Sequence, residues 1–219
     1  MTSYTPSPLS RRVAEVIDAA VVIPVLVVHN PAQAVPLAEA LAKGGLTVLE
    51  ITLRTEAAFA AIEAIARTLP EVTLGAGTVL NRQQMQQAAD HGCRFAVSPG
   101  ATPALLAAAE AVGMPFLPGA ASASEAMVLA ERGYLRQKLF PAEAAGGMAL
   151  LKSLAEPLPQ IGFCPTGGID LARAPAYLAL KNVVCVGGSW VAPKDAVEAC
   201  DWKRIEKLAA EATALRPQA

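Results

Sequence analysis

Lys138 sits in the middle of the run Arg136-Gln137-Lys138-Leu139-Phe140-Pro141-Ala142-Glu143, which reads as a short buried strand stopped by its proline. Lysine is almost never fully buried unless it is paired or has chemical work to do. A primary amine taken out of water has a lowered pKa, and its neutral form can attack a ketone to give a Schiff base. The competing reading is a strand lysine that reaches solvent or pairs with a carboxylate. A second polar group lies in TVLEITLR (47–54), where Glu50, Thr52 and Arg54 alternate with Ile51 and Leu53. Strand side chains alternate between faces, so these three share one face and the two apolar residues share the other. By the same parity Lys138 and Phe140 point one way and Leu139 the other. With the apolar faces turned to a helix layer, Glu50, Arg54 and Lys138 converge in one interior. Burying three ionised groups costs several kcal/mol each unless they are paired, so the alternative to a reactive centre is a structural ion network.

The elements that must position these residues follow a rhythm. Apolar, β-branched runs recur at 21–28, 47–54, 72–79, 95–100, 115–120, 137–142, 162–168 and 182–190, with helical stretches between them. Ser10 is a plausible N-cap for a short first helix, residues 1–9 form a loose tail, and DWKRIEKLAAEATAL closes the chain. The glycine pair 146–147 and Pro175 weaken the sixth and seventh helices of the series. Continuous buried strands alternating with helices indicate a parallel sheet under helices. Eight such units without a linker between them predict one domain over residues 1–219, a closed (β/α)8 TIM barrel with a short N-terminal helix. A doubly wound sheet is the alternative, but GxGxxG and GxxxxGK[ST] are absent, and GAGTVL (75–80) lacks the third glycine of a dinucleotide fingerprint.

In such a barrel the strand C-termini carry the site. They supply Glu50, Thr52 and Arg54, then Thr78, then Ser98 and Pro99, then Pro118. Lys138 with Phe140, Thr166 with Gly167 and Gly168, and Gly187 with Gly188 and Ser189 complete the ring. Loops after the seventh and eighth barrel strands commonly bind phosphate through backbone N–H groups. Both loops here hold a glycine pair, PTGGID and VGGSW, which lets the backbone approach an anion closely. Asp170 and Ser189 are also placed to cap the segments that follow.

Composition narrows the partners. With a formal net charge of -1 and scattered basic residues, the chain has no electrostatic footprint for nucleic acid or an anionic membrane. Any phosphate must therefore be held by local geometry. The start, MTSYTPSPLSRR, has no apolar signal core, and no stretch is long and apolar enough to span a bilayer. Cys93, Cys164, Cys185 and Cys200 form neither a CxxC pair nor a zinc pattern, so a reducing, cytoplasmic setting is expected. His29 ends the first strand and is expected to cap a helix or face solvent. His91 lies at a helix end, where a cation is favourable. No metal site and no cofactor are expected.

Taken together, PVLVV, EITLRT, GAGTV, SPG, LPGA, KLFPAE, PTGGI and VGGSW, in this order from about residue 10 to residue 200, resemble the 2-keto-3-deoxy-6-phosphogluconate (KDPG) aldolase and 4-hydroxy-2-oxoglutarate aldolase family. These are class I aldolases on a (β/α)8 barrel. The resemblance implies that Lys138 forms the Schiff base and that Glu50 shuttles protons as general acid and base. It implies that Arg54 and Thr78 hold the pyruvate carboxylate, that Pro99 and Phe140 shape the pocket, and that Thr166 contacts substrate near the reacting centre. Gly167, Gly168, Gly187, Gly188 and Ser189 would hold the phosphate. No metal is used, and a homotrimer is expected. Leu139 departs from the aromatic residue of many relatives but should face away from the site.

The chemistry agrees with the residues. A protonated imine is an electron sink for the carbanion left when a β-hydroxy ketone is cleaved. Arg54 beside Lys138 would lower the lysine pKa by like-charge repulsion and bind an α-keto acid carboxylate. The expected reaction releases pyruvate and glyceraldehyde 3-phosphate, the last step of the Entner–Doudoroff route. Aldolases for 4-hydroxy-2-oxoglutarate or 2-keto-3-deoxy-6-phosphogalactonate are the alternatives within this chemistry. A non-catalytic phosphosugar-binding barrel would have no need of an activated amine, and a metal-dependent aldolase lacks a ligand cluster.

Overall fold

Parallel strands and helices alternate along the computed structural model, which describes residues 4–215. In chain order the elements are α1 (Pro8–Ile17), β1 (Val22–Leu26), a 3-10 turn (Pro31–Gln33), α2 (Ala34–Lys43), β2 (Val48–Thr52), α3 (Ala58–Thr68), β3 (Thr73–Gly77) and α4 (Arg82–Asp90). They continue as β4 (Phe95–Val97), α5 (Pro103–Val112), β5 (Phe116–Leu117), β6 (Gly119–Ala120), α6 (Ala123–Glu131) and β7 (Arg136–Leu139). The series ends with α7 (Gly147–Ala155), β8 (Gly162–Pro165), α8 (Ala174–Leu178), β9 (Val186–Gly188), α9 (Lys194–Glu198) and α10 (Trp202–Thr213). Among the described residues no helix is long and apolar enough to cross a membrane.

Local chemistry explains most boundaries. Asn81, Thr102 and Ser122 each accept a backbone N–H three residues on and open α4, α5 and α6. Gly113 ends α5 in the left-handed region, as a helix stop often does. Helix α1 starts earlier than expected. Pro8 stands in its first turn and Ser7 is the cap, its Oγ accepting from the Ser10 N–H at 3.1 Å. Ser10 is buried and accepts from the Leu135 N–H at 3.1 Å instead. Residues 1–3 of the expected tail lie outside the described residues, whereas Tyr4 packs on the core and the Ser7 N–H donates to Gly133 O at 3.1 Å.

All strand pairs are parallel, in a six-stranded sheet ordered β5-β4-β3-β2-β1-β9 and a three-stranded sheet ordered β6-β7-β8. The fifth expected strand is thus two short ones, because Pro118 has no N–H to continue a ladder. The described strands form a curled parallel α/β sheet in two parts rather than the single continuous ring of the closed barrel expected. Isolated bridges Phe163↔Val183 and Thr166↔Gly187 lie between the β8 and β9 segments.

Two apolar clusters hold this frame. The larger joins strand residues such as Leu49, Ile51, Leu74, Ala76, Leu139 and Phe163 to the helices, so the apolar side of β2 faces the helix layer as its parity predicts. The smaller gathers Ile23, Phe95, Val97, Leu117, Cys164 and Cys185 under Val13 and Ile17 of α1. Helix α1 is pinned there by a bidentate pair, Arg136 Nε and Nη2 donating to Asp18 Oδ1 and Oδ2 at 2.7 and 2.6 Å. The smaller cluster is built of apolar side chains and two thiols, and the candidate site residues lie toward the opposite, C-terminal ends of the strands.

Candidate active site

Lys138 and Glu50 are the charged pair of this interior. They come from β7 and β2, on different sheets, and only 4% and 3% of each is exposed. Lys138 Nζ lies 3.0 and 3.1 Å from the two carboxylate oxygens. Removal of both groups from water makes this the costly kind of ion pair, tolerable only with good geometry. The lysine also sits over the Phe140 ring, 5.6 Å from its centroid.

The residues around the pair are small where the carboxylate needs room. A Cβ added at Gly77 would overlap Glu50, lying 2.6 Å from Cγ and 2.7 Å from Cδ. The Gly77→Ala variant should therefore push the carboxylate off Lys138. Displacement of a reacting group by about 1 Å costs about 100-fold in rate, and overpacking costs about 1–3 kcal/mol in stability. Both are readable from turnover and urea unfolding of the one variant. Just past the end of β3, the same strand, Thr78 adopts φ +59°, a left-handed conformation unusual for a threonine. Its Oγ1 accepts from Arg54 Nε at 3.0 Å.

The sequence-expected residues assemble only in part. Lys138 and Glu50 meet directly, and Arg54 meets Thr78. Arg54 is exposed and bonds to Thr78 rather than to the buried pair. Thr52 uses its hydroxyl structurally, donating to Leu26 O at 2.9 Å. Pro99 is half-buried, and its carbonyl presses so closely on Gly119 that a Cβ there would collide.

The two glycine loops come together across the Thr166↔Gly187 bridge, where a Cβ at Gly187 would strike Thr166 Oγ1. Gly167 and Gly168 have φ +105° and +79°, values that favour glycine. A Cβ at Gly167 would lie 3.6 Å from Phe140 Cε2, so this loop borders the Lys138 site. Gly188 packs under the Trp190 indole, and Ser189 is exposed. Asp170 Oδ1 accepts from the Arg173 N–H at 2.9 Å, but the Ser189 side chain makes no cap, and α9 starts only after Pro193.

A cavity of about 740 Å³ adjoins this mouth, lined among others by Val25, Val27, His29, Ser189, Trp190 and Lys194. One of its lining residues, Val25, stands opposite Glu50 in the β1–β2 register. His29 is exposed on its wall, while Asn30 is the residue that caps the following 3-10 turn. His91 ends α4, its Nδ1 2.8 Å from Gln87 O and its ring against Phe59. Among the described residues no group of three or more His, Cys, Asp or Glu could hold a metal ion. Below the site, Cys164 is lowered chiefly by its hydrogen bond with Cys185 and further by the Lys138 charge, against its burial, and the Cys185 thiol is correspondingly raised.

Sequence reasoning missed Glu143 and Tyr177, whose side chains are hydrogen bonded beside the 167–168 loop. The signal available was a glutamate directly after a strand-ending proline motif, but its partner is far along the chain.

Known proteins similar to this chain are found at the level of family, sequence and fold. The family profile described as "KDPG and KHG aldolase" matches residues 13–208. The KHG/KDPG aldolase of Escherichia coli K12 is 52% identical over 191 residues, covering 87% of this chain and 90% of that protein. A structure of Legionella pneumophila KDPG aldolase, with pyruvate captured as a covalent carbinolamine intermediate, superposes with a TM-score of 0.90 at 43% identity, covering 94% of this chain and 98% of that one. The Zymomonas mobilis ZM4 2-keto-3-deoxy-6-phosphogluconate aldolase, solved with 3-phosphoglycerate, also gives 0.90, at 46% identity and covering 94% and 97% of the two chains.

Proposed function

The chain belongs to the KDPG and KHG aldolase family, and we propose from that membership and from its buried Lys138–Glu50 pair how it cleaves 2-keto-3-deoxy-6-phosphogluconate. It is a class I aldolase, a lyase that releases pyruvate and glyceraldehyde 3-phosphate. The observation that carries the residue assignment is the 3.0 Å contact of a buried amine with a buried carboxylate at the mouth of the curled sheet.

Glu50 takes a proton from Lys138, and the neutral amine attacks the C2 ketone to form a carbinolamine. Glu50 returns a proton to the departing hydroxyl, water leaves, and the protonated imine remains. Removal of the C4 hydroxyl proton then lets the C3–C4 bond break, its electron pair moving into the imine as an enamine. The aldehyde departs, the enamine is protonated at C3, and water hydrolyses the pyruvyl imine to restore Lys138. Arg54 and Thr78, already joined at 3.0 Å, hold the substrate carboxylate. Phe140 and Pro99 wall the pocket, and Thr166 faces the reacting carbons. The amides of Gly167, Gly168, Gly187, Gly188 and Ser189 hold the phosphate.

The Escherichia coli relative carries both activities in its name, which supports cleavage of 4-hydroxy-2-oxoglutarate by this same centre. We further propose that the two sheets are arcs of one (β/α)8 barrel within a single domain. The run 116–120, which carries β5 and β6, and the bridges between the β8 and β9 segments support closure. The chain is proposed to be cytoplasmic, as its free thiols suggest, and homotrimeric.

Reductive trapping tests the assignment. With pyruvate and borohydride, the folded protein should gain one reduced pyruvyl group, located on the Lys138 peptide by mass spectrometry. No adduct, or one on another lysine, would remove Lys138 from its role.

A further inference from the structure

Glu143 ends the segment that carries Lys138, and its side chain is held in place from two directions. The Tyr177 hydroxyl, from α8, donates to Glu143 Oε1 in a short hydrogen bond. Tyr177 is fully buried. On the other side the stem of Glu143 lies on the α-carbon of Gly168, where an added Cβ would sit 2.6 Å from its Cγ. Gly147 leaves the space for the contact, since a Cβ there would meet Tyr177 Oη at 2.8 Å and Glu143 Oε1 at 3.0 Å.

The backbone ties the same parts together. The Thr166 N–H donates to Leu139 O at 3.0 Å, the Ala142 N–H to Thr166 O at 2.8 Å, and the Glu143 N–H to Gly167 O at 3.2 Å. The lysine-bearing segment and the 166–168 loop are thus laced through three successive bonds, with Glu143 at the end of the lacing. Arg173 also holds this loop, its Nη1 donating to Gly168 O at 2.7 Å.

A carboxylate against a loop meant for a phosphate dianion is a hazard, because the two charges repel. The structure turns this one away, with Oε1 committed to Tyr177. We propose that Tyr177 is a positioning residue for the phosphate loop, its hydroxyl holding the Glu143 carboxylate toward α8 so that substrate phosphate can occupy the amides of Gly167 and Gly168. The pair therefore sets preference for phosphorylated over unphosphorylated substrates without touching either. The inference rests on the reading of these loops as the phosphate site.

Three variants test it: Tyr177→Phe, Glu143→Gln and the double change. Tyr177→Phe frees the carboxylate with almost no change of shape. A hydrogen bond to a charged group is worth about tenfold or more in an equilibrium. KM for 2-keto-3-deoxy-6-phosphogluconate should rise about tenfold, with kcat little altered. Exchange of the pyruvate methyl protons in D₂O, which needs the Lys138 imine but no phosphate, should stay at the wild-type rate. The double variant should regain most of the lost KM, since a neutral amide does not repel phosphate.

A role in fold stability alone would slow exchange and cleavage together and leave the double variant no better than Tyr177→Phe. Either result overturns the proposal, as does an unchanged KM in Tyr177→Phe. Competition by inorganic phosphate separates the two layers. If phosphate fails to compete with substrate in the active wild type, the phosphate-loop reading itself is wrong. If phosphate competes equally well in wild type and Tyr177→Phe, only the positioning role falls.

Discussion

The Lys138→Met variant should lose aldol cleavage by about 10,000-fold or more, with no borohydride-trapped pyruvate anywhere in the chain. Losses of that size are what removal of a covalent catalytic group produces, because every later step depends on the bond it makes. Among the described residues only Lys138 brings an amine to Glu50 within hydrogen-bonding distance, so no neighbour can take over the attack. The measurement is cleavage followed by pyruvate release, beside circular dichroism to show a native fold. Residual cleavage within about 100-fold of wild type would mean that the imine forms elsewhere.

The same position predicts a large and opposite pair of stability changes. Lys138→Met leaves Glu50 buried without its partner, and breaking a buried ion pair on one side costs about 3–5 kcal/mol. Replacing both residues with apolar ones removes the desolvation cost altogether, and such exchanges are neutral or stabilising by about 1–4 kcal/mol. The Glu50→Met/Lys138→Met double variant should therefore unfold at a higher urea concentration than the single variant and at least match the wild type. Its stability is also a control, because an inactive double variant that is well folded separates chemistry from collapse. If the single change costs less than about 1 kcal/mol, the pair is better solvated than its exposure implies.

Much of the site could be read from alternation alone. Ile51 and Leu53 against Glu50 and Thr52 set the polar face of β2, and the structure brings Glu50 to Lys138 as that parity requires. Apolar runs at regular spacing marked the strands, because strands buried on both faces are apolar throughout. The remainder depends on contacts that periodicity does not encode. Pro118 splits one run into β5 and β6 through a missing donor. Arg54, at the end of its run, is past the last paired residue of β2 and reaches Thr78 instead of the interior. The left-handed Thr78 has no sequence signature, since threonine rarely adopts that conformation. Glu143 and Tyr177 meet across a loop and a helix cut to five residues, which Pro175 had made the least legible part of the chain.

The pairing of β1 with β9 sets Val22 opposite Val186, near the two ends of the chain. A ribosome delivers the first strand long before its neighbour on that side exists. Until Gly188 emerges, β1 offers an unpaired edge of backbone donors and acceptors, the kind of surface on which chains associate wrongly. Helix α1 covers part of the apolar interior from the outset, but the open edge must wait for the last strand. Fragments that end before residue 186 should therefore aggregate rather than fold, and synthesis of the whole chain should be more sensitive to delay near its end than near its middle.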